Sequence, residues 1–399
     1  MSNTESGIAQ LRSMARESAA HAEAGTLPLA DSIVEIASEH YYDEQRWKLE
    51  MDRVFRRIPL MLAATCELPN PGDYKSTTAV GLPIIISRTE DGSVRAFANI
   101  CAHRGAVVMP EGCGNTHRFT CPYHAWSYNP EGELTGVFSA KDFGDLDKSK
   151  LGLRPLPVLE RSGLIWVIPN PDAELDIANF LSGYDAVLDQ FNFAGWHMFS
   201  QRRVDGPNWK IAYDGYLDLY HLPILHKDTF GSDFPHRAMY HSWGPHQRAS
   251  SPDPSLVPLM QKSEEEWPDS SLLTGVWTIF PHVSIASFDG GGRGVMLSQL
   301  FPGETPQESY TIQNYMMEKP PSEEQEAAAT EQFELLKYVV ETEDYATGLL
   351  QQQALMTGAR KTVMFGRNEG GGQNFHRWLD RILSTEDADL DALFTSDES

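Results

Sequence analysis

An α+β fold in two domains is what this chain predicts, and three observations carry that reading. From Ile58 to about Asn170 the residues read as short strands punctuated by Gly, Pro and Asp-Gly turns. Beyond Pro169-Asn170-Pro171-Asp172, helical segments mix with longer strands, the pattern of an antiparallel sheet with helices segregated around it. At 399 residues the chain is long enough to bury two cores. The expected division is residues 1–50 as a helical segment packing on the second domain, 51–170 as a mostly-β domain, and 171–399 as a larger domain with an acidic tail.

Residues 10–50 have a helical pattern that ends in the apolar stripe Trp47, Met51, Val54 and Phe55. Residues 82–88 and 94–100 read as strands joined by a turn at Asp91-Gly92. A second hairpin turns at Asn129-Pro130-Glu131-Gly132, and a third at Arg161-Ser162-Gly163 before the apolar run 164–168. Further on, residues 275–280, 283–288 and 294–301 read as strands, the last after the Gly290-Gly291-Gly292 turn. A long helical pattern follows Pro320-Pro321.

Four residues of the smaller domain carry chemistry: Cys101 and His103 on one arm, Cys121 and His124 on another. Each arm begins as a strand ends, so the ligands sit on hairpin tips. Two thiolates and two imidazoles are the donor set of a Rieske [2Fe–2S] cluster, with Cys on one iron and His on the other. Structural zinc uses the same residue types, but zinc modules usually pair Cys with Cys and His with His. The mixed arms favour iron–sulfur. Arg104, Tyr123 and Trp126 flank the arms as groups able to tune such a cluster by hydrogen bonding or exclusion of water. Cys113 reads as an inert loop thiol.

Composition narrows the class. Cys66 and Cys113 are the only other cysteines, too few for a disulfide framework. No apolar stretch is long enough to span a bilayer, and the N-terminus lacks the apolar core of a signal peptide, so a soluble, cytoplasmic protein is expected. The net charge of -24 argues against nucleic acid and anionic membranes as partners. Glu386, Asp387, Asp389, Asp391, Asp397 and Glu398 form a tail without basic neighbours, expected to be frayed and solvated.

A second constellation lies between Asn208 and His226. On a helix, Asp214, Asp218 and His221 share one face, and acids beside an imidazole there call for a cation. His226 does not converge with His221 on a regular helix. Pro223 answers this, because the residue before a proline is pushed from helical conformation, letting both imidazoles turn to one ion. Two His and a carboxylate form the facial triad that leaves non-haem Fe(II) open to O2 and substrate. The acid is expected on the long helix, where Leu336, Val340, Asp344 and Gly348 recur at i+4; Glu341 and Glu343 compete with Asp344 on geometry.

Taken together, these segments resemble the α (oxygenase) subunit of a Rieske non-haem iron, aromatic-ring-hydroxylating oxygenase across nearly the whole chain. The Cys101-x-His103-Arg104-Gly105 arm, the Cys121-Pro122-Tyr123-His124-x-Trp126 arm, Asn208-Trp209-Lys210, Asp218-x-x-His221-x4-His226 and Glu343-Asp344 match in order. The resemblance implies a helix-grip catalytic domain and His221, His226 and Asp344 as the ligands of the mononuclear iron. It implies Asp218 as the acid linking that iron to His124 of the partner subunit, and hence a homotrimer, with or without β subunits. It further implies NAD(P)H-derived electrons through a reductase and, in some systems, a ferredoxin. Cis-dihydroxylation of an aromatic substrate, such as an aromatic acid, is the first expectation; monooxygenation with O- or N-demethylation is the alternative.

The chain departs from the pattern at Ala125, where glycine is common, and at Gly215, where many members carry Asn. No Asn side chain is therefore present to act near the iron, and Asp214 is left to support the helix or a hydrogen bond. Arg237, Tyr240, His241 and His246 are candidate contacts to a polar substrate. Two other classes stay open: an electron carrier with a ligand-binding domain, and a zinc-stabilised binding protein.

Overall fold

The computed structural model describes residues 3–395 and divides the chain into two compact units, one of residues 55–180 and the other of the chain on either side. The α+β expectation holds, with the smaller unit mostly β as expected. In the smaller unit, Pro155–Leu156, Val94–Ala98, Leu82–Arg88, Asp73–Ala79 and Gly112–Asn115 form a five-stranded antiparallel sheet. Ile84, Ile85 and Ile86 are fully buried, so both faces of its middle strand are covered. Two three-stranded sheets complete the unit, Val158–Arg161, Leu164–Val167, Leu60–Ala64 and Phe119–Thr120, Ser127–Tyr128, Leu134–Gly136. Cys101 and Cys121 belong to its core beside Phe97, Phe119, Trp126 and Tyr128. The unit runs on past Pro169-Asn170-Pro171-Asp172 to Phe180, because the helix Ile177–Phe180 packs back on the strand Val158–Arg161.

The larger unit is built on a seven-stranded antiparallel sheet. Its order is His197–Gly206, Ser309–Met317, Gly294–Pro302, Val283–Phe288, Val276–Ile279, His246–Ser250 and Met239–Trp243. The helix Trp209–Leu217 lies on the strands Gly294–Pro302 and Val276–Ile279. A helix from Glu323 to Met356 runs past it, α-helical to Tyr338, π-helical over Val339–Tyr345, and α-helical again from Ala346.

Three expectations are corrected here. The stretch 10–50 is not one helix: Asn3–Ala24 and Glu44–Glu50 are α-helices, but Val34–Ala37 is a strand paired antiparallel with Thr362–Phe365. A distant partner strand decides that segment, outweighing local periodicity. The acidic tail is packed through its described part: Leu390–Thr395 is helical, Phe394 is buried and stacks on Trp378, and Glu386 pairs with Arg53. Asp397 and Glu398 lie outside the described residues. Cys113 is exposed but sits in a strand, paired with Lys75. Among the described residues no helix is long and apolar enough to cross a membrane.

Candidate metal centres

The two Cys-His arms fold as copies of one turn. In the first, Cys101 N donates to Ala106 O at 2.8 Å and Gly105 N to Cys101 O at 2.9 Å. In the second, Cys121 N donates to Trp126 O at 2.8 Å and Ala125 N to Cys121 O at 3.0 Å. Each turn needs a left-handed residue before it closes, Gly105 at φ 76° and Ala125 at φ 55°. Glycine takes that conformation freely, and alanine takes it against a steric penalty. The departure at Ala125 therefore falls where the backbone asks for glycine.

The turns present the four donors together. Both thiols are buried, and the His103 and His124 rings meet edge to face with centroids 4.6 Å apart. Trp126 stacks on His103 at 5.0 Å, and Phe143 closes edge-on against both. Tyr123 leans on His124 with its ring exposed, and Arg104 is exposed. The Tyr128 hydroxyl accepts from Ala102 N at 3.0 Å and lies 3.3 Å from Cys101 Sγ, so its own proton is free to point at sulfur. Sequence reasoning passed over Tyr128, which read only as a strand residue. His103 Nδ1 is buried without a protein hydrogen-bond partner. Desolvation, then His124 and Arg104, lower the His103 pKa, which favours the neutral imidazole a metal requires. The orphaned nitrogen and two buried thiols fit a mixed sulfur–nitrogen cluster.

In the larger unit, the expected shared helical face of Asp214, Asp218 and His221 does not form. The helix ends at Leu217, and Asp218 is extended at φ −109°, ψ 121°. Its Oδ1 accepts from Tyr220 N at 2.5 Å, a side-chain turn that reverses the chain. That turn brings His221 Nδ1 back to within 3.1 Å of Asp218 Oδ2. Pro223 does not break the helix either. It lies in the first turn of Leu222–Leu225, where a proline is tolerated. This one-turn helix separates the histidines and sets their rings 5.1 Å apart. Asp214 turns away to a buried cluster, where Tyr41 donates to it at 2.8 Å and His376 Nε2 lies 3.1 Å off. Gly215 is exposed, and an added Cβ there would meet nothing within 4 Å.

Asp344 comes from the π-helical turn. Its Oδ1 lies 3.5 Å from His221 Nε2 and 3.2 Å from His226 Nε2. Among the described residues, His221, His226 and Asp344 form the one group of three or more such side chains whose donor atoms all lie within 4.8 Å of one another. Glu343 instead faces the far nitrogen of His226, and Glu341 reaches toward Lys337. Burial lowers the His221 pKa, but hydrogen bonds to Asp218 and Asp344 more than offset it and hold it at about 9. Burial raises that of Asp344, and the two imidazoles bring it below its ordinary value. Three carboxylates, Asp218, Glu343 and Asp344, thus surround two imidazoles in a half-buried site. Such a set is costly without positive charge, which a divalent cation would supply.

The remaining candidates are engaged elsewhere. Arg237 bonds Gly25 O, Tyr240 donates to Leu217 O at 2.9 Å, and His241 lies 3.1 Å from Glu17. His246 stacks on Tyr184 and accepts from Phe280 N at 3.2 Å. One group that sequence reasoning missed anchors the helix Trp209–Leu217, which leads into the segment carrying His221 and His226. Lys210 Nζ donates to Glu50 Oε2 at 2.5 Å, Trp209 Nε1 to the same oxygen at 2.9 Å, and Arg46 Nε to Glu50 Oε1 at 3.0 Å.

A family model described as the ring hydroxylating alpha subunit (catalytic domain) matches residues 193–385, and one for the Rieske [2Fe-2S] domain matches residues 59–145. The chain is 30% identical over 194 residues to the glycine betaine monooxygenase oxygenase subunit of Chromohalobacter salexigens, covering 48% of this chain and 43% of that protein. It is 35% identical over 187 residues to the anthranilate 1,2-dioxygenase large subunit of Burkholderia cepacia, covering 44% of each. The chain thus spans about half the length of the curated relatives it matches. In fold it resembles the quaternary ammonium Rieske monooxygenase CntA, with TM-score 0.72 at 20% identity over 88% of this chain and 96% of that one. Naphthalene 1,2-dioxygenase from Rhodococcus sp. gives TM-score 0.72 at 20% identity over 92% and 95%.

Proposed function

The chain belongs to the α subunits of the Rieske non-haem iron ring-hydroxylating oxygenases, and from that premise we propose that it is the oxygenase component of a system that uses O2 to hydroxylate an aromatic substrate, such as an aromatic acid. One observation carries the reading: a single chain holds both donor sets, two Cys-His turns and a two-His, one-carboxylate group. Cys101, His103, Cys121 and His124 would hold the cluster, and His221, His226 and Asp344 the Fe(II). Bound there, the two centres would supply one-electron storage and activation of O2.

What the chain itself contributes is arrangement. Asp344 and the two Nε2 atoms face one point, while Asp218 and Glu343 occupy the two Nδ1 atoms and so fix each ring's tautomer and orientation. Three protein ligands leave further positions open to O2 and substrate. Asp218, itself held by Tyr220 N, is the residue we assign to the link between His221 and His124 of the partner subunit in a homotrimer, with or without β subunits. NAD(P)H-derived electrons would arrive from a reductase, directly or through a ferredoxin.

Cis-dihydroxylation of an aromatic substrate, such as an aromatic acid, is the first reading, in line with the anthranilate and benzene 1,2-dioxygenase relatives. The glycine betaine monooxygenases favour a second, monooxygenation with demethylation. EPR of anaerobic, dithionite-reduced, Fe(II)-supplied protein exposed to nitric oxide tests the proposal. A Rieske signal with an iron–nitrosyl signal is expected, and loss of either overturns it. Turnover under isotopically labelled O2 then separates the readings: both atoms enter the product in dihydroxylation, one in monooxygenation, with formaldehyde released on demethylation.

A further inference from the structure

We infer that Glu343, braced by Thr229, is a positioning residue that sets the metal affinity of His226. The inference rests on the reading of His221, His226 and Asp344 as metal ligands and adds a residue to it. His226 is buried, with 2% of its side chain exposed. Its Nε2 faces Asp344, and its Nδ1 lies 2.6 Å from Glu343 Oε2. The other oxygen of Glu343 accepts from Thr229 Oγ1 at 2.7 Å. Thr229 follows His226 closely, and its backbone N–H bonds His226 O at 3.0 Å, so the carboxylate is tied to the segment that carries the histidine.

The consequence is a fixed tautomer. With Nδ1–H donating to Glu343, the lone pair of Nε2 points at the common focus of the three donors. Local backbone explains how neighbouring residues do both jobs. Glu343 and Asp344 lie in the π-helical turn Val339–Tyr345, and the wider turn lets consecutive carboxylates reach the two nitrogens of one imidazole. The two histidines are held differently. His221 is braced by Asp218, three residues away on its own segment, with 27% of that side chain exposed. His226 is braced across the site by a carboxylate only 13% exposed. The deeper brace is the one whose loss water is least able to repair.

The test is metal binding by the full chain, read by titrating chelator-treated protein with Co(II) and following its visible absorption. Loss of such an outer partner typically weakens metal binding by about 10- to 100-fold. Glu343→Ala should show that loss, with the Rieske EPR signal unchanged. Glu343→Gln keeps an acceptor for Nδ1–H and should recover most of the affinity; Thr229→Val should show a smaller loss than Glu343→Ala, and Thr229→Ser should restore it. Should Glu343→Ala fail to fold, the Thr229 pair and Glu343→Gln decide. Parent-like Co(II) affinity in both Glu343→Ala and Thr229→Val overturns the inference. Failure of the parent protein to bind Co(II) or Fe(II) would instead refute the metal reading beneath it.

Discussion

Glu50 is a buried carboxylate at the end of the helix Glu44–Glu50, and three donors converge on it from Lys210, Trp209 and Arg46. Lys210 and Glu50 have 1% and 0% of their side chains exposed. Arg46 has a second carboxylate, Asp380 at 2.6 Å, whereas the Lys210 ammonium hydrogen-bonds to Glu50 alone among the described residues. Glu50→Gln therefore strands a buried ammonium, a loss of about 3–5 kcal/mol. Lys210→Met leaves Glu50 with Arg46 and should cost less, about 2–3 kcal/mol. In the double variant neither stranded charge remains, so its cost should stay near about 3 kcal/mol, a coupling of at least about 2 kcal/mol. Urea unfolding of all four proteins, followed by tryptophan fluorescence, measures the cycle. The pH dependence has a fixed sign. Burial lowers the Lys210 pKa and Glu50 partly restores it, so without Glu50 the folded state holds this proton less tightly than the unfolded one. The deficit of Glu50→Gln should accordingly shrink between pH 7 and 10. A coupling below about 0.5 kcal/mol, or a deficit that grows with pH, would refute the argument.

Ala125→Gly relieves a left-handed alanine and should raise the stability of the smaller unit by about 1 kcal/mol, seen as a higher melting temperature; no change would mean that the turn carries no strain. Burial pulls the His282 pKa down to about 3, so the protein loses stability as pH falls below the unfolded value of about 6.5, by about 2 kcal/mol at pH 5. His282→Gln should remove that component, and identical pH slopes for the variant and parent would discount it. Tyr128→Phe removes the hydroxyl beside Cys101 Sγ and should lower the cluster's reduction potential in protein-film voltammetry. Asp218→Ala should retain iron and Rieske signal while abolishing coupled turnover, and a normal rate of product formation would dismiss the proposed link.

Local signals reached far in this chain. Asp91-Gly92 marks a real hairpin turn, and the strands Leu82–Arg88 and Val283–Phe288 lie where alternation and turn residues place them. The apolar ladder drew attention to Asp344 but left Glu341 and Glu343 in competition; the family resemblance chose Asp344, and the fold brings that residue together with both histidines. At two places where the deciding contact was distant, local pattern misled. Nothing near Val34–Ala37 announces Thr362–Phe365, and nothing around Asp214 points to Tyr41 and His376. Helical periodicity also assumes that the helix continues. Asp218 ends it by bonding Tyr220 N, a choice a short acidic side chain makes locally and a wheel diagram does not record.

The π-helical turn Val339–Tyr345 has a consequence for how this helix tolerates change in length. A helix running straight through would need one residue fewer to bring Ala346–Met356 to the same place, so the turn is a store of one spare residue. Removing a residue within it would repair the backbone ladder rather than break it, and the protein would keep its fold. The same repair would wind Glu343 and Asp344 out of phase with His226. At this point in the chain, and for the same reason, the sequence is most forgiving of shortening as a scaffold and least forgiving of it as a metal site.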